Sequence, residues 1–196
     1  MENIRNIWAI GRNYAEHAKE LGNEVPSEPL IFLKAGSSAT FGDTIQLPTW
    51  AIDVHHEVEL ALRFDERLQV SSAAVALDLT ERHFQSLLKA KGSPWTLAKS
   101  FTGSCPISEF FPVGSLEELQ SLEITLHVND QLRQKGNTRQ MIFSLRQQVD
   151  YVLAHFPVCP GDVLLTGTPS GVAALHRGDR LRAELVGKIT RQWTIL

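Results

Sequence analysis

The chain has 196 residues, 43% hydrophobic and 21% charged, with a formal net charge of −3. A chain of this length buries roughly 70% of its unfolded surface without help from disulfide or metal, so one domain over 1–196 is expected. The balanced charge gives no footprint for nucleic acid, and no apolar run approaches the ~18 residues of a membrane span.

IRNIWAIG (4–11) predicts a first strand ended by Gly11. NYAEHAKELG (13–22) predicts a short helix, with Ala15, Ala18 and Leu21 at helical spacing and Gly22 as its stop. Pro26 and Pro29 exclude regular structure over 24–29. LIFLK (30–34) predicts a short buried strand, and another is expected near 44–47. VHHEVELALRF (54–64) carries the best strand signal of the first half, followed by SSAAVALDLT (71–80) and a polar helix over 81–91.

The second half is richer in strands. LEITLHVNDQLRQKG (122–136) alternates and turns at Asn129-Asp130, which predicts a hairpin. SLRQQVDYVLAHF (144–156) is an amphipathic helix with Leu145, Val149, Val152 and Leu153 as its stripe and Ser144 as N-cap. DVLLTG, DRLRAELVG and KITRQWTIL predict short strands joined by turns, with Arg177-Gly178-Asp179 as one such turn. This order lacks regular strand–helix alternation, so the class is α+β, strand-dominated. MENIRNIWAIGRNY lacks the apolar run of a signal peptide, and Cys105 and Cys159 have no CxxC spacing. Free thiols in a reducing cytoplasm are expected.

Three acids stand in apolar runs. On a strand, Glu57 and Glu59 point to one face, with their carbons about 6.5–7 Å apart. Either that face is wet or something positive lies between them. Asp78 interrupts AAVALDLT, where a charge is costly unless paired or metal-bound. Three oxygen donors without cysteine favour a hard ion, Mg²⁺ first, with Mn²⁺ or Ca²⁺ as alternatives. His55 and His56 beside them read as supporting groups rather than ligands. On the predicted short helix, His17 and Glu20 share a face at i,i+3, a spacing at which a carboxylate orients an imidazole for proton transfer. The same pair is common on solvated helices.

GRNYAEHAKE, PLIFLK, HHEVELAL, ALDLTERHFQ, PWTLAKSFTGSCPIS and GDVLLTGTPSGV, in that order, resemble the signature segments of the fumarylacetoacetate hydrolase family. The likeness runs from about Trp8 to the C-terminus and is nearest to small acylpyruvase and oxaloacetate decarboxylase members. It implies a mixed β-roll, a homodimer, and Mg²⁺ or Mn²⁺ held by Glu57, Glu59 and Asp78. It also implies a lid at about 13–22 carrying His17 and Glu20, a catalytic Lys99, and substrate contacts from Arg12, Gln85 and Thr168. DERLQVSSA, between Glu59 and Asp78, departs from the family by being shorter than its usual connection.

The implied activity is metal-dependent hydrolysis of a C–C bond in an acylpyruvate-type 2-oxo acid. Oxaloacetate decarboxylation and isomerisation of an unsaturated 2-oxo diacid are alternatives, because all three pass through an enolate. A non-catalytic 2-oxo acid binding protein is the rival from another class.

Overall fold

Alternation along the apolar runs sets the layers. The computed structural model describes residues 4–20, 22 and 24–196. Its main strands are β1 (Asn6–Gly11), β2 (Leu30–Ala35), β3 (Val54–His56), β4 (Val58–Phe64) and β5 (Val70–Leu77) in the first half. The second half adds β6 (Glu123–Val128), β7 (Gln131–Asn137), β8 (Val163–Leu165), β9 (Arg180–Leu185) and β10 (Ile189–Ile195). The helices are α1 (Ala15–Glu20), α2 (Arg82–Ala90), α3 (Thr96–Lys99) and α4 (Leu145–His155).

One sheet runs Phe111–Pro112, β5, β4, β8, β1, β2, antiparallel except where β8 meets β1. A second runs β7, β6, β9, β10 and Thr44–Ile45, the last pair being parallel. A small third sheet sets β3 between Ala173–Ala174 and Thr80–Glu81. This is the strand-dominated α+β architecture that the order of elements predicts.

The main core lies where the two large sheets face each other. Leu60, Leu62 and Phe64 of β4 and Val75 and Leu77 of β5 belong to one cluster with Ile124, Leu126, Leu181, Leu185 and Trp193. The alternate positions, Ala61, Ala74 and Ala76, join Ile7, Ala9, Val163, Leu165 and Ile107 in a second cluster. Both faces of the six-stranded sheet are therefore covered, and small residues on the second face let its neighbours approach closely. Among the described residues, no helix is long and apolar enough to cross a membrane.

Local chemistry fixes the boundaries. Asn129 and Asp130 both have positive φ, 50° and 64°, as a two-residue hairpin turn demands. Ser144 caps α4 by accepting from the Gln147 N–H, while the Gln147 side chain reaches back to the cap. α1 is shorter than its sequence pattern; Leu21 lies outside the described residues, and Gly22, at φ 66°, donates to the Lys19 carbonyl at 2.9 Å.

Three features differ from the sequence expectation. LIFLK forms an edge strand in which only Lys34 is buried and Leu33 is exposed, not the buried strand expected. The single strand over 54–64 is two strands, because β3 leaves the large sheet for the small one at Glu57. The short connection after β4 is a tight hairpin loop. Asp65 donates its N–H to the Gln69 carbonyl at 2.8 Å, and its side chain accepts from the N–H groups of Arg67 and Gln69. β4 and β5 are paired from Val58–Leu77 to Phe64–Val70, with one irregularity at Arg63/Phe64.

Candidate active site

Glu57 and Glu59 leave the chain on the face opposite Val58 and Leu60. Asp78 follows β5 directly, and its N–H donates to the Glu57 carbonyl at 2.8 Å, which sets the three acids side by side. One carboxylate oxygen from each lies within 4.8 Å of the others. Their residues are 4%, 2% and 1% exposed, so the wet-face reading of the two glutamates fails.

Positive side chains supply the compensation. The Lys99 ammonium lies 2.8 Å from Glu57 Oε2 and 2.5 Å from Asp78 Oδ2. Fully buried Lys34 reaches Asp78 Oδ1 at 2.7 Å and also donates to the Lys99 carbonyl. The Arg82 guanidinium donates to Glu57 Oε1 and, at 2.6 Å, to Gln85 Oε1. Glu59 accepts from the Gly167 N–H at 2.6 Å.

These partners separate the two glutamates. Burial pushes Glu57 up, but Lys99 and Arg82 overcome it and hold its carboxyl well below the usual range. Burial, then the charges of Asp78 and Glu57, push Glu59 well above that range. Burial pulls the Lys99 ammonium down, but Asp78 and Glu57 more than restore it. A buried, all-oxygen triad in which one acid resists ionisation matches the donor set of a hard divalent cation, whose charge relieves the crowding among the acids.

α1 brings His17 to the same place. His17 is buried, its Nδ1 lies 3.3 Å from Glu20 Oε2, and Glu20 is itself held by the Gly171 N–H at 3.0 Å. That arrangement leaves His17 Nε2 as the nitrogen turned away from Glu20. Asn13 ties the start of this segment down, donating to the Thr166 carbonyl at 2.8 Å and accepting from the Phe143 N–H at 2.9 Å.

One cavity is lined by Glu57, Glu59, Asp78, His17, Lys99, Arg12, Gln85 and Thr168, together with Arg82, Lys89, Phe32 and Trp95. Of the nine residues singled out in the sequence, all but Glu20 line it, and Glu20 stands behind His17. His55 and His56 lie outside the lining: His55 pairs with Asp53 at 3.0 Å and His56 with Gln134 at 2.9 Å.

Sequence reasoning missed Arg82, Lys34 and Gln134. Arg82 had a signal, lying three residues before Gln85 on one helix face. Lys34 had the same signal as Asp78, a charge ending an apolar strand. Gln134 had none, because QLRQKG reads as a polar hairpin arm.

The family described as fumarylacetoacetate (FAA) hydrolase C-terminal matches residues 6–194. The chain is 42% identical over 198 residues to an oxaloacetate decarboxylase, mitochondrial, from Dictyostelium discoideum, covering 95% of this chain and 91% of that protein. It is 39% identical over 202 residues to the oxaloacetate tautomerase FAHD1, mitochondrial, from Bos taurus, covering 97% and 91%. Among solved structures, it superposes with a TM-score of 0.92 on a fumarylpyruvate hydrolase from Pseudomonas aeruginosa in complex with Mn²⁺ and pyruvate, at 29% identity over 98% of this chain and 90% of that one. With a match over nearly the whole chain, the protein belongs to the fumarylacetoacetate hydrolase family.

Proposed function

We propose that the protein acts on oxaloacetate or a closely similar 2-oxo diacid, promoting enolisation at C3 and, through an enolate held by the same groups, loss of the C4 carboxylate. The observation that carries this reading is the identity of about 40%, along the whole chain, to relatives named for oxaloacetate chemistry. The cavity supports it, because its lining combines an oxygen-donor triad with a surrounding set of cations.

Glu57, Glu59 and Asp78 are the residues that hold Mg²⁺ or Mn²⁺ in this reading, and the ion, when bound, supplies Lewis-acid polarisation of the 2-oxo and neighbouring carboxylate oxygens. Arg12, Gln85 and Thr168 bind the substrate's acceptor oxygens. Lys99 places its ammonium beside the oxyanion that develops at C2. His17 Nε2 moves the proton at C3, and Glu20 orients the imidazole through Nδ1. In tautomerisation the C3 proton leaves and the C2 oxygen is protonated. In decarboxylation the C3–C4 bond breaks, its electron pair enters the enolate, CO₂ departs and a proton returns to C3.

The acylpyruvate hydrolase expected first from the sequence is the second reading. It draws on the His17–Glu20 pair, which can activate water, and on the Pseudomonas neighbour's name. A homodimer belongs to the same proposal and is checked by light scattering. The relatives named above are called mitochondrial, so cytoplasmic residence is not part of it.

The test follows oxaloacetate by its enol absorbance and by pyruvate release, with Mg²⁺ or Mn²⁺ and then with excess chelator, beside a parallel assay on acetylpyruvate. Faster enol–keto exchange without pyruvate identifies a tautomerase, and pyruvate release a decarboxylase. Turnover of acetylpyruvate alone replaces this reading with the hydrolase. Binding of pyruvate without turnover of either substrate leaves the non-catalytic binder.

A further inference from the structure

Gln134 belongs to β7, in a sheet from which no described residue lines the cavity, yet its buried side chain reaches the cavity wall. A bulge sends it there. The β6–β7 register slips between Leu126 and His127, so Leu126 faces Gln134 while His127 faces Leu132. The strand then approaches 169–171 so closely that a Cβ on Gly171, at φ 98°, would lie 2.0 Å from the Arg133 carbonyl oxygen.

Four hydrogen bonds fix the direction of the Gln134 amide. The Val58 N–H can only donate, so the atom 3.0 Å from it is Oε1. The Pro169 carbonyl can only accept, so the atom 2.9 Å from it is the amide nitrogen. The amide therefore cannot be flipped. His56 Nδ1, 2.9 Å from Oε1, must carry a proton. The second amide hydrogen goes to Thr168 Oγ1 at 2.8 Å. Thr168 is thereby an acceptor towards Gln134, and its own hydroxyl hydrogen is left for the cavity it lines.

Gln85 repeats the pattern. Arg82 can only donate, so Gln85 turns Oε1 to it at 2.6 Å and leaves its NH₂ pointing elsewhere. Thr168 and Gln85, both in the lining, thus each use their acceptor on a protein donor and keep donor hydrogens to spare.

We infer that Gln134 is a positioning residue: through Thr168 it sets one corner of the cavity as a hydrogen-bond donor, so that corner takes a ligand acceptor oxygen. The inference deepens the 2-oxo acid reading and rests on it. It also assigns a task to the second sheet, which otherwise supplies only core.

The experiment measures pyruvate affinity of the Mn²⁺-loaded protein by titration calorimetry, with Mn²⁺ affinity measured separately. Gln134→Glu puts an acceptor where the NH₂ was, so the Thr168 proton turns back and pyruvate affinity falls by about tenfold, the scale of one charge-assisted hydrogen bond. Mn²⁺ affinity stays unchanged. Thr168→Val produces a similar fall, and adding Gln134→Glu to it produces no further one. Should Gln134→Glu lack a cooperative melt, Gln134→Met carries the same cycle, with a smaller loss that again vanishes in the Thr168→Val background.

Equal losses in both backgrounds, or a parallel fall in Mn²⁺ affinity, mean that Gln134 only supports the fold, and the inference is overturned. A wild-type protein that holds Mn²⁺ but binds no pyruvate overturns the 2-oxo acid reading and the inference with it.

Discussion

The two faces of β4 are equally dry and follow opposite rules. On one, Leu60, Leu62 and Phe64 pack against the second sheet, and each neighbour helps whatever its detailed geometry. On the other, Glu59 and the adjoining Glu57 stand beside Asp78, and each is tolerable only because a named partner meets it. Burial is favourable on the first face and costly on the second. What differs is how far one substitution propagates: an apolar truncation leaves a hole, whereas a truncated cation leaves a buried charge.

Lys99→Ala should be the most damaging change. It leaves Glu57 and Asp78 facing each other with one bridge gone, and breaking a buried pair in this way costs about 3–5 kcal/mol. Urea midpoints in chelator should show that loss, and Mn²⁺ should recover part of it by replacing the missing charge. Leu62→Ala tests the other face. A cavity there costs about 2–5 kcal/mol, but turnover per folded molecule should not change, because Leu62 does not line the cavity. If Leu62→Ala abolished turnover at full folding, the two faces would not be separable.

Divalent ions sharpen the same contrast. An ion that binds only the folded state at a hundred times its dissociation constant adds about 2.7 kcal/mol. Glu59→Gln should remove that gain. In chelator, the variant should be at least as stable as the parent, because burial and the charges of Asp78 and Glu57 already disfavour the Glu59 carboxylate. A thermal melt of each protein with Mn²⁺ and with chelator reads both effects. A variant that keeps the full Mn²⁺ shift would remove Glu59 from the ligand set.

The contrast also explains what could be read in advance. Period-two alternation placed Glu57 and Glu59 on one face, and an acid inside an apolar run singled out Asp78. Both signals survive because they are local. The capped helix α4 and the turn at Asn129-Asp130 were legible for the same reason. Lys34 carried the same local signal as Asp78 and was overlooked, whereas Gln134 was not legible, since its role depends on a partner 34 residues away in the chain, at Thr168. The switch of sheets at Glu57 was hidden too, because strand propensity does not say which neighbour a strand chooses. α3, only four residues long, is too short for a periodic signal.

The smallest expected effect tests how dry the second face of the large sheet is. Cys105 lies there fully buried, and burial, helped by Asp78 and Glu59 and opposed by Lys34, pushes its thiol up to about 12. In the unfolded chain a thiol titrates near 8.5. The folded value is the higher one, so this contribution is complete below about pH 8.5 and is lost as pH rises towards 12, by about 1.4 kcal/mol per unit. Tyr14, also raised by burial and by Glu59, starts from near 10 when unfolded and enters only above that. The window from about 8.5 to 10 therefore isolates Cys105 from Tyr14. Urea midpoints across it should fall for the parent and fall less for Cys105→Ala. Parallel curves would mean that the native thiol ionises in place. Water would then reach the alanine-lined face behind the acids, and the cost of burying charge beside it would be far lower than the partners of Glu57 and Asp78 imply.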